Sequence, residues 1–148
     1  MDNLAQFMAY AGDFERTLKD DDWSRLGRYF CDDAVYEVES SSFGCKLEGP
    51  TAIFNGMQKS LNGFDRKFPS RDIEVTSGPE IDGDWIRMSW AVTYKKDGWT
   101  PYTLRGSSRV RYRAGKIAYL ADSYDSTVDG VAQAWMRENA AILDPRYV

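Results

Sequence analysis

Histidine is absent from this chain of 148 residues. Its absence excludes Ser-His-Asp and Cys-His nucleophilic machinery, and with them the usual histidine-based zinc and non-haem iron centres. Acid–base chemistry, if there is any, falls to Asp, Glu, Tyr, Lys or Cys. Cysteine is almost as scarce. Cys31 and Cys45 show neither a CxxC spacing nor a metal-ligand pattern, so we expect reduced structural thiols, no metal site and no cofactor. Basic residues are outnumbered, 19 Lys and Arg against 23 Asp and Glu, for a net charge of −4. That balance argues against a nucleic-acid partner, because phosphate contacts need a surplus of Lys and Arg on one face. No apolar run approaches the ~20 residues of a membrane span, and Met1 leads into a polar amphipathic stretch rather than a signal peptide. We therefore expect a cytoplasmic protein with no membrane partner. Internal repeats, low-complexity tracts and linkers are also missing, which predicts one domain over residues 1–148.

Aromatic residues are what the chain has in quantity: 7 Phe, 5 Trp and 9 Tyr. Such a set fills wide gaps in a core or walls a cavity with flat apolar rings.

Leu4, Phe7, Met8, Ala11, Phe14 and Leu18 recur at steps of three and four, predicting an amphipathic helix over residues 2–19 with one buried stripe. An aspartate of the run Asp20-Asp21-Asp22 can cap a second, short helix that turns Trp23, Leu26 and Phe30 inward. Three adjacent carboxylates do not converge on one ion, so the run reads as a solvated helix junction. Ala34 to Glu39 reads as a strand and Ser40 to Gly44 as its loop. Gly49-Pro50-Thr51 opens a helix whose apolar face is Ile53, Phe54, Met57, Leu61 and Phe64, ending before Pro69. From Arg71 the period changes to two. Ile86, Met88, Trp90, Val92 and Tyr94 form one strand face, and Leu104, Gly106, Ser108, Val110 and Tyr112 form the next. Lys96-Asp97-Gly98 and Ala114-Gly115 supply turns. The last strand, Ile117 to Asp125, sets Ala118, Leu120, Asp122 and Tyr124 on one face. Ser126-Thr127-Val128-Asp129 resembles a capping box and predicts a C-terminal helix that stops before Pro145. The pattern as a whole is α+β, helices first and a twisted antiparallel sheet after.

Three segments carry a resemblance: "YFCDDAVYEVES" at 29–40, "EGPTAIFNGM" at 48–57 and "GKIAYLADSYDS" at 115–126. In this order they resemble the SnoaL-like branch of the NTF2-like superfamily, and the likeness spans nearly the whole chain. It implies a cystatin-like cone, in which a strongly curved antiparallel sheet wraps the N-terminal helices around a deep apolar pocket. It also implies a homodimer through the outer sheet face. The superfamily holds polyketide cyclases, ketosteroid isomerases, limonene epoxide hydrolases, scytalone dehydratases and non-catalytic members, so fold leaves chemistry open. The general-base position of ketosteroid isomerase falls on Val38 here, and its oxyanion aspartate falls near Ser107 or Ser108. Glu37 and Glu39 flank Val38 on the opposite face. Limonene epoxide hydrolase is matched at Tyr36 and Asp122, but its Arg and second Asp have no counterpart around Trp90-Ala91-Val92-Thr93. Scytalone dehydratase needs histidines.

Asp122, alone on an apolar strand face, is the leading candidate for a catalytic acid–base, because burial lifts a carboxyl towards neutral pH. The structural alternative is an aspartate hydrogen-bonded to Tyr36 or to a backbone amide. Tyr36 is its candidate partner. Phe14, Trp90, Tyr94, Ser108, Leu120 and Tyr124 are the expected ligand contacts, although aromatic stripes also make plain core and Ser108 beside Gly106 also serves a bending strand. Arg105, Arg109, Arg111 and Arg113 line the opposite face, where a dimer contact could pair them with Asp125 and Glu80, or where they could bind an anion. Three functions follow: a cofactor-independent isomerase, cyclase, dehydratase or hydrolase acting on a hydrophobic oxygenated small molecule; a non-catalytic module holding such a molecule; or a dimeric scaffold with a filled cone.

Overall fold

The computed structural model describes residues 2–39, 44–98 and 100–124. Helix α1 (Asn3–Asp20) starts where the Asp2 side chain accepts from the Ala5 N–H at 2.7 Å, and it stops at Asp21, whose φ of 59° is left-handed. Its buried stripe differs from the expected one. Met8 is 54% exposed, whereas Tyr10, Asp13 and Thr17 are buried beside Phe7. The polar pair can be buried because each is satisfied: Thr17 donates to the Asp13 carbonyl, and the Asp13 carboxylate takes hydrogen bonds from Tyr29, Arg16 and Arg28. Tyr29 first, with Arg16 and Arg28 behind it, holds the Asp13 pKa down to about 2.

Asp22 caps the 3-10 helix Trp23–Tyr29 by accepting from the Ser24 N–H, so the acidic run is a helix junction braced by Arg25 and Arg66. The chain then enters β1 (Phe30–Glu39), four residues earlier than the alternation predicts, and returns in the unanticipated β2 (Cys45–Glu48). Helix α2 (Pro50–Gly63), with Pro50 in its first turn, buries Ile53, Met57 and Leu61. The remaining strands are β3 (Ser70–Asp82), β4 (Trp85–Lys95), β5 (Tyr102–Arg113) and β6 (Lys116–Tyr124). The predicted C-terminal helix, the greater part of the 40–44 loop and Asp125 lie outside the described residues.

The six strands run in the order β2-β1-β6-β5-β4-β3. Successive strands β3 to β6 pair antiparallel through short connections, but β1 pairs parallel with β6, because the two come from opposite ends of the chain and no hairpin joins them. The sheet is thus antiparallel at every junction except that one. Register shifts in β1, in β3 between Val75 and Glu80, and between β5 and β6 beside Arg111 insert extra residues that bend the strands. Gly106 contributes at the concave side. A Cβ there would stand 2.8 Å from the Trp90 indole and 2.5 Å from the Ser123 carbonyl, so only glycine lets Trp90 lie flat across β5.

Two packed clusters fill the concave side. One joins α1, the 3-10 helix and α2 to β1, β5 and β6 through Phe7, Leu26, Phe30, Ile53, Val110 and Ile117; the other gathers Phe64, Phe68, Trp90, Val92, Tyr94 and Leu104. Met88 touches both. Phe30 is 1% exposed and meets Tyr10 and Phe54 edge to face at 5.4 and 5.3 Å. Phe30→Ala should therefore cost about 3–5 kcal/mol in urea unfolding, while Met8→Ala stays within about 0.5 kcal/mol. A large loss at Met8 would mean that α1 packs on its other face.

Candidate active site

Between the two clusters lies a cavity of about 210 Å³. Its walls come from α1, α2 and every strand of the sheet, and they are mainly apolar. Phe14, Trp90, Tyr94, Leu120 and Tyr124 all border it, with the Trp90 and Tyr124 rings edge to face at 5.5 Å. Leu120, Asp122 and Tyr124 point the same way because they alternate along β6.

Asp122 pairs across the sheet with Val38 of β1 and Ser108 of β5. Tyr36, two residues before Val38, occupies the diagonal position on the same face and reaches over. The Tyr36 hydroxyl donates to Asp122 Oδ2 at 2.7 Å, the Ser108 hydroxyl donates to Oδ1 at 2.6 Å, and the Trp90 indole N–H donates to Ser108 at 2.9 Å. The indole fixes the serine, and the serine and tyrosine fix the carboxylate. Among the described residues no cation pairs with Asp122. Burial pushes its pKa above the ordinary carboxylate value, against the two hydroxyl donors, which favour the ionised form. The Tyr36 pKa is likewise raised, well above the ordinary phenol value, by burial and then by the Asp122 charge. A carboxyl whose pKa is raised by burial thus sits beside a phenol that stays protonated.

The outer face divides as the alternation predicts, but two of its arginines find partners within the chain. Arg109 pairs with Glu39 at 2.5 Å and also meets Tyr119, which in turn donates to Glu37; Arg113 pairs with Asp33. Arg109 and Arg113 are thus paired within the chain, without a contact to Asp125 or Glu80 across a dimer.

The family model for the SnoaL-like domain matches residues 11–120. The chain belongs to the SnoaL-like family. Solved structures share its fold: an NTF2-like protein of unknown function from Exiguobacterium sp. 255-15 has 21% identity and a TM-score of 0.59, covering 84% of this chain and 98% of its own. A candidate isomerase from Bacillus subtilis has 16% identity and a TM-score of 0.66, covering 90% and 96%. A candidate polyketide cyclase from Pseudomonas putida KT2440 has 16% identity and a TM-score of 0.60, covering 90% and 98%. No curated protein matches the chain. These likenesses establish an α+β NTF2-like fold, and the chemistry rests on the residues of this SnoaL-like chain.

Several polar residues of the SnoaL-like cavity escape the sequence reading, among them Tyr10, Glu15, Asp65 and Arg71. Tyr10 lines the cavity, its pKa is raised by burial and by the charge of Asp122, and its hydroxyl has no hydrogen-bond partner among the described residues. Its place between Phe7 and Phe14, three and four residues away, was the available signal. Asp65 and Arg71 enter from the far wall. Arg71 Nε donates to Asp65 at 2.8 Å, its Nη1 donates to both oxygens of Glu15 at 2.9 and 3.0 Å, and Tyr94 donates to Asp65 at 3.1 Å. Burial raises the Asp65 pKa, and Arg71 and Tyr94 hold the rise in check. No local pattern announces this cluster, since its members come from α1, a 3-10 turn and two strands.

Burial places the native pKa of Asp122 above its unfolded value, so between the two the native state binds the extra proton and loses stability as pH rises. The amide that Asp122→Asn puts in its place does not titrate. The stability of Asp122→Asn relative to the wild type should therefore climb as pH rises from the ordinary carboxylate value, then level off. Urea denaturation at a series of pH values measures the difference, and a difference that is flat or falls would overturn the assignment of burial as the dominant effect.

Proposed function

We propose that this SnoaL-like protein is a cofactor-independent enzyme of isomerase or cyclase type, in which Asp122 moves a proton on a hydrophobic, oxygen-bearing small molecule held in the cavity. The observation that carries this reading is a desolvated carboxylate on an apolar wall, fixed at both oxygens by neutral hydroxyl donors and paired with no cation among the described residues. Each Asp122 oxygen accepts one hydrogen bond and keeps one lone pair for a proton. In the forward step the C–H bond next to a substrate carbonyl breaks, its proton goes to Asp122, and its electron pair forms an enolate. The charge gathers on the carbonyl oxygen, where the protonated Tyr10 hydroxyl donates a hydrogen bond. Return of the proton to a different carbon isomerises the molecule; attack of the enolate on a second carbonyl closes a ring, and the alkoxide formed as that C=O π bond breaks takes the proton back from Asp122. Tyr36 and Ser108 are positioning residues. A homodimer through the outer sheet face belongs to the same reading.

A second reading, a non-catalytic module for the same ligands, draws on the same geometry, because an aspartate locked by two donors is also a fixed polar anchor in a wall. Hydrogen–deuterium exchange separates the two. Exchange of the α-protons of 2-tetralone in D2O, followed by NMR, should be accelerated by the wild type. Asp122→Asn should lose about 10²–10⁴-fold of that acceleration, the usual share of a general base, and Tyr10→Phe a smaller part. Binding of 2-tetralone without acceleration favours the binding module; acceleration that survives Asp122→Asn sinks the role of Asp122.

A further inference from the structure

The cavity has a second polar end. Asp122 meets β4 at Met88 through Ser108, whereas Arg71 meets β4 at Tyr94. Six residues of strand separate the two points, roughly 20 Å of backbone at about 3.4 Å per residue, and both side chains line the same space. Between them the wall is apolar, with Trp90, Val92 and Leu104. Nothing in the proton transfer at Asp122 uses the far end.

The guanidinium at that end is built to donate. Its Nε is committed to Asp65 and its Nη1 to Glu15, so two carboxylates lock the plane of the group. Nη2 donates to nothing among the described residues, and it is not sealed in by protein either. Arg71 lines the cavity, and a donor locked in this way loses little freedom when an acceptor arrives. The charge count then selects the acceptor. One cation sits against two carboxylates, so an anionic group drawn to Arg71 is repelled by Asp65 and Glu15, whereas a neutral carbonyl or ether oxygen takes the hydrogen bond without that opposition.

We infer that the cavity takes an elongated apolar ligand bearing two neutral oxygen acceptors, one seated beside Asp122 and Tyr10 and the other on Nη2 of Arg71. The inference rests on the reading of the Asp122 end as a carbonyl site. It adds a substrate class to it: rigid, predominantly apolar, dioxygenated and uncharged.

Three biphenyl probes test it by isothermal titration: 4-acetylbiphenyl with one carbonyl, 4,4′-diacetylbiphenyl with one at each end, and 4′-acetylbiphenyl-4-carboxylate with an anion at one end. The wild type should bind the diketone about tenfold tighter than the monoketone, the effect of one hydrogen bond from a charged donor, and the keto-acid no tighter than the monoketone. Asp65→Asn combined with Arg71→Gln, which removes both charges of the buried pair together, should abolish the preference for the diketone and keep the monoketone affinity. Should that double variant fail to fold by circular dichroism, Glu15→Gln decides. Removing this half-exposed carboxylate should raise keto-acid affinity about fivefold and leave the monoketone unchanged. Equal binding of monoketone and diketone by the wild type, or an unchanged keto-acid affinity in Glu15→Gln, overturns the Arg71 end alone. Failure of the monoketone to bind overturns the carbonyl site at Asp122, and the two-ended ligand with it.

Discussion

A carboxyl group taken out of water and given no cation must either hold its proton or be held by donors that replace the solvent, and Asp122 sits between these limits. Much of the interior follows from this constraint. Ser108 and Tyr36 occupy the two positions from which a hydroxyl reaches a β6 side chain, one directly across β5 and one diagonally on β1. Trp90 must lie over β5 to reach Ser108, and Gly106 is the residue whose missing side chain leaves room for the indole. The parallel pairing of β1 with β6 brings Tyr36 alongside, so the topology of the sheet and the chemistry of one carboxyl are the same fact seen at two scales.

A contrast within the chain shows how much environment decides. Asp13 takes a hydrogen bond from Tyr29 and, behind it, from Arg16 and Arg28 at its rim, and its pKa falls to about 2. Asp122 has two hydroxyl donors and, among the described residues, no guanidinium, and its pKa rises. Asp13 is a permanent anion that ties α1 to the 3-10 helix. Asp65 is also raised by burial, with Arg71 restraining the rise, and it holds the guanidinium plane.

How much of this was legible beforehand depended on how local the signal was. Strand alternation marked Asp122 as the odd polar residue on the inward face of β6, and the same alternation put Trp90 and Ser108 on inward faces of their strands. Phe14, Tyr94, Leu120 and Tyr124 were legible for the same reason of periodicity. Helix α1 was read less well, because a hydrophobic pattern does not anticipate that Asp13 and Thr17 are buried once their polar groups are paired, while Met8 faces solvent. Strand β2 is four residues long, with Cys45 and Leu47 as its cavity-facing residues, too little for a period. The Asp65, Arg71 and Glu15 cluster was out of reach altogether, since its members meet only after three separate elements have packed.

The claim on which the account stands is that Asp122 is desolvated and unpaired with a cation, and its own titration tests that most directly. Carboxyl ¹³C chemical shifts of the labelled protein, with the Asp122 signal assigned by its loss in Asp122→Asn, report the midpoint. A midpoint clearly above the ordinary carboxylate value of 3.8, with Asp13 titrating near 2 in the same sample, is what the structure predicts. A midpoint for Asp122 at or below 3.8 would mean that water or a cation reaches the carboxylate, and the acid–base role would go with it.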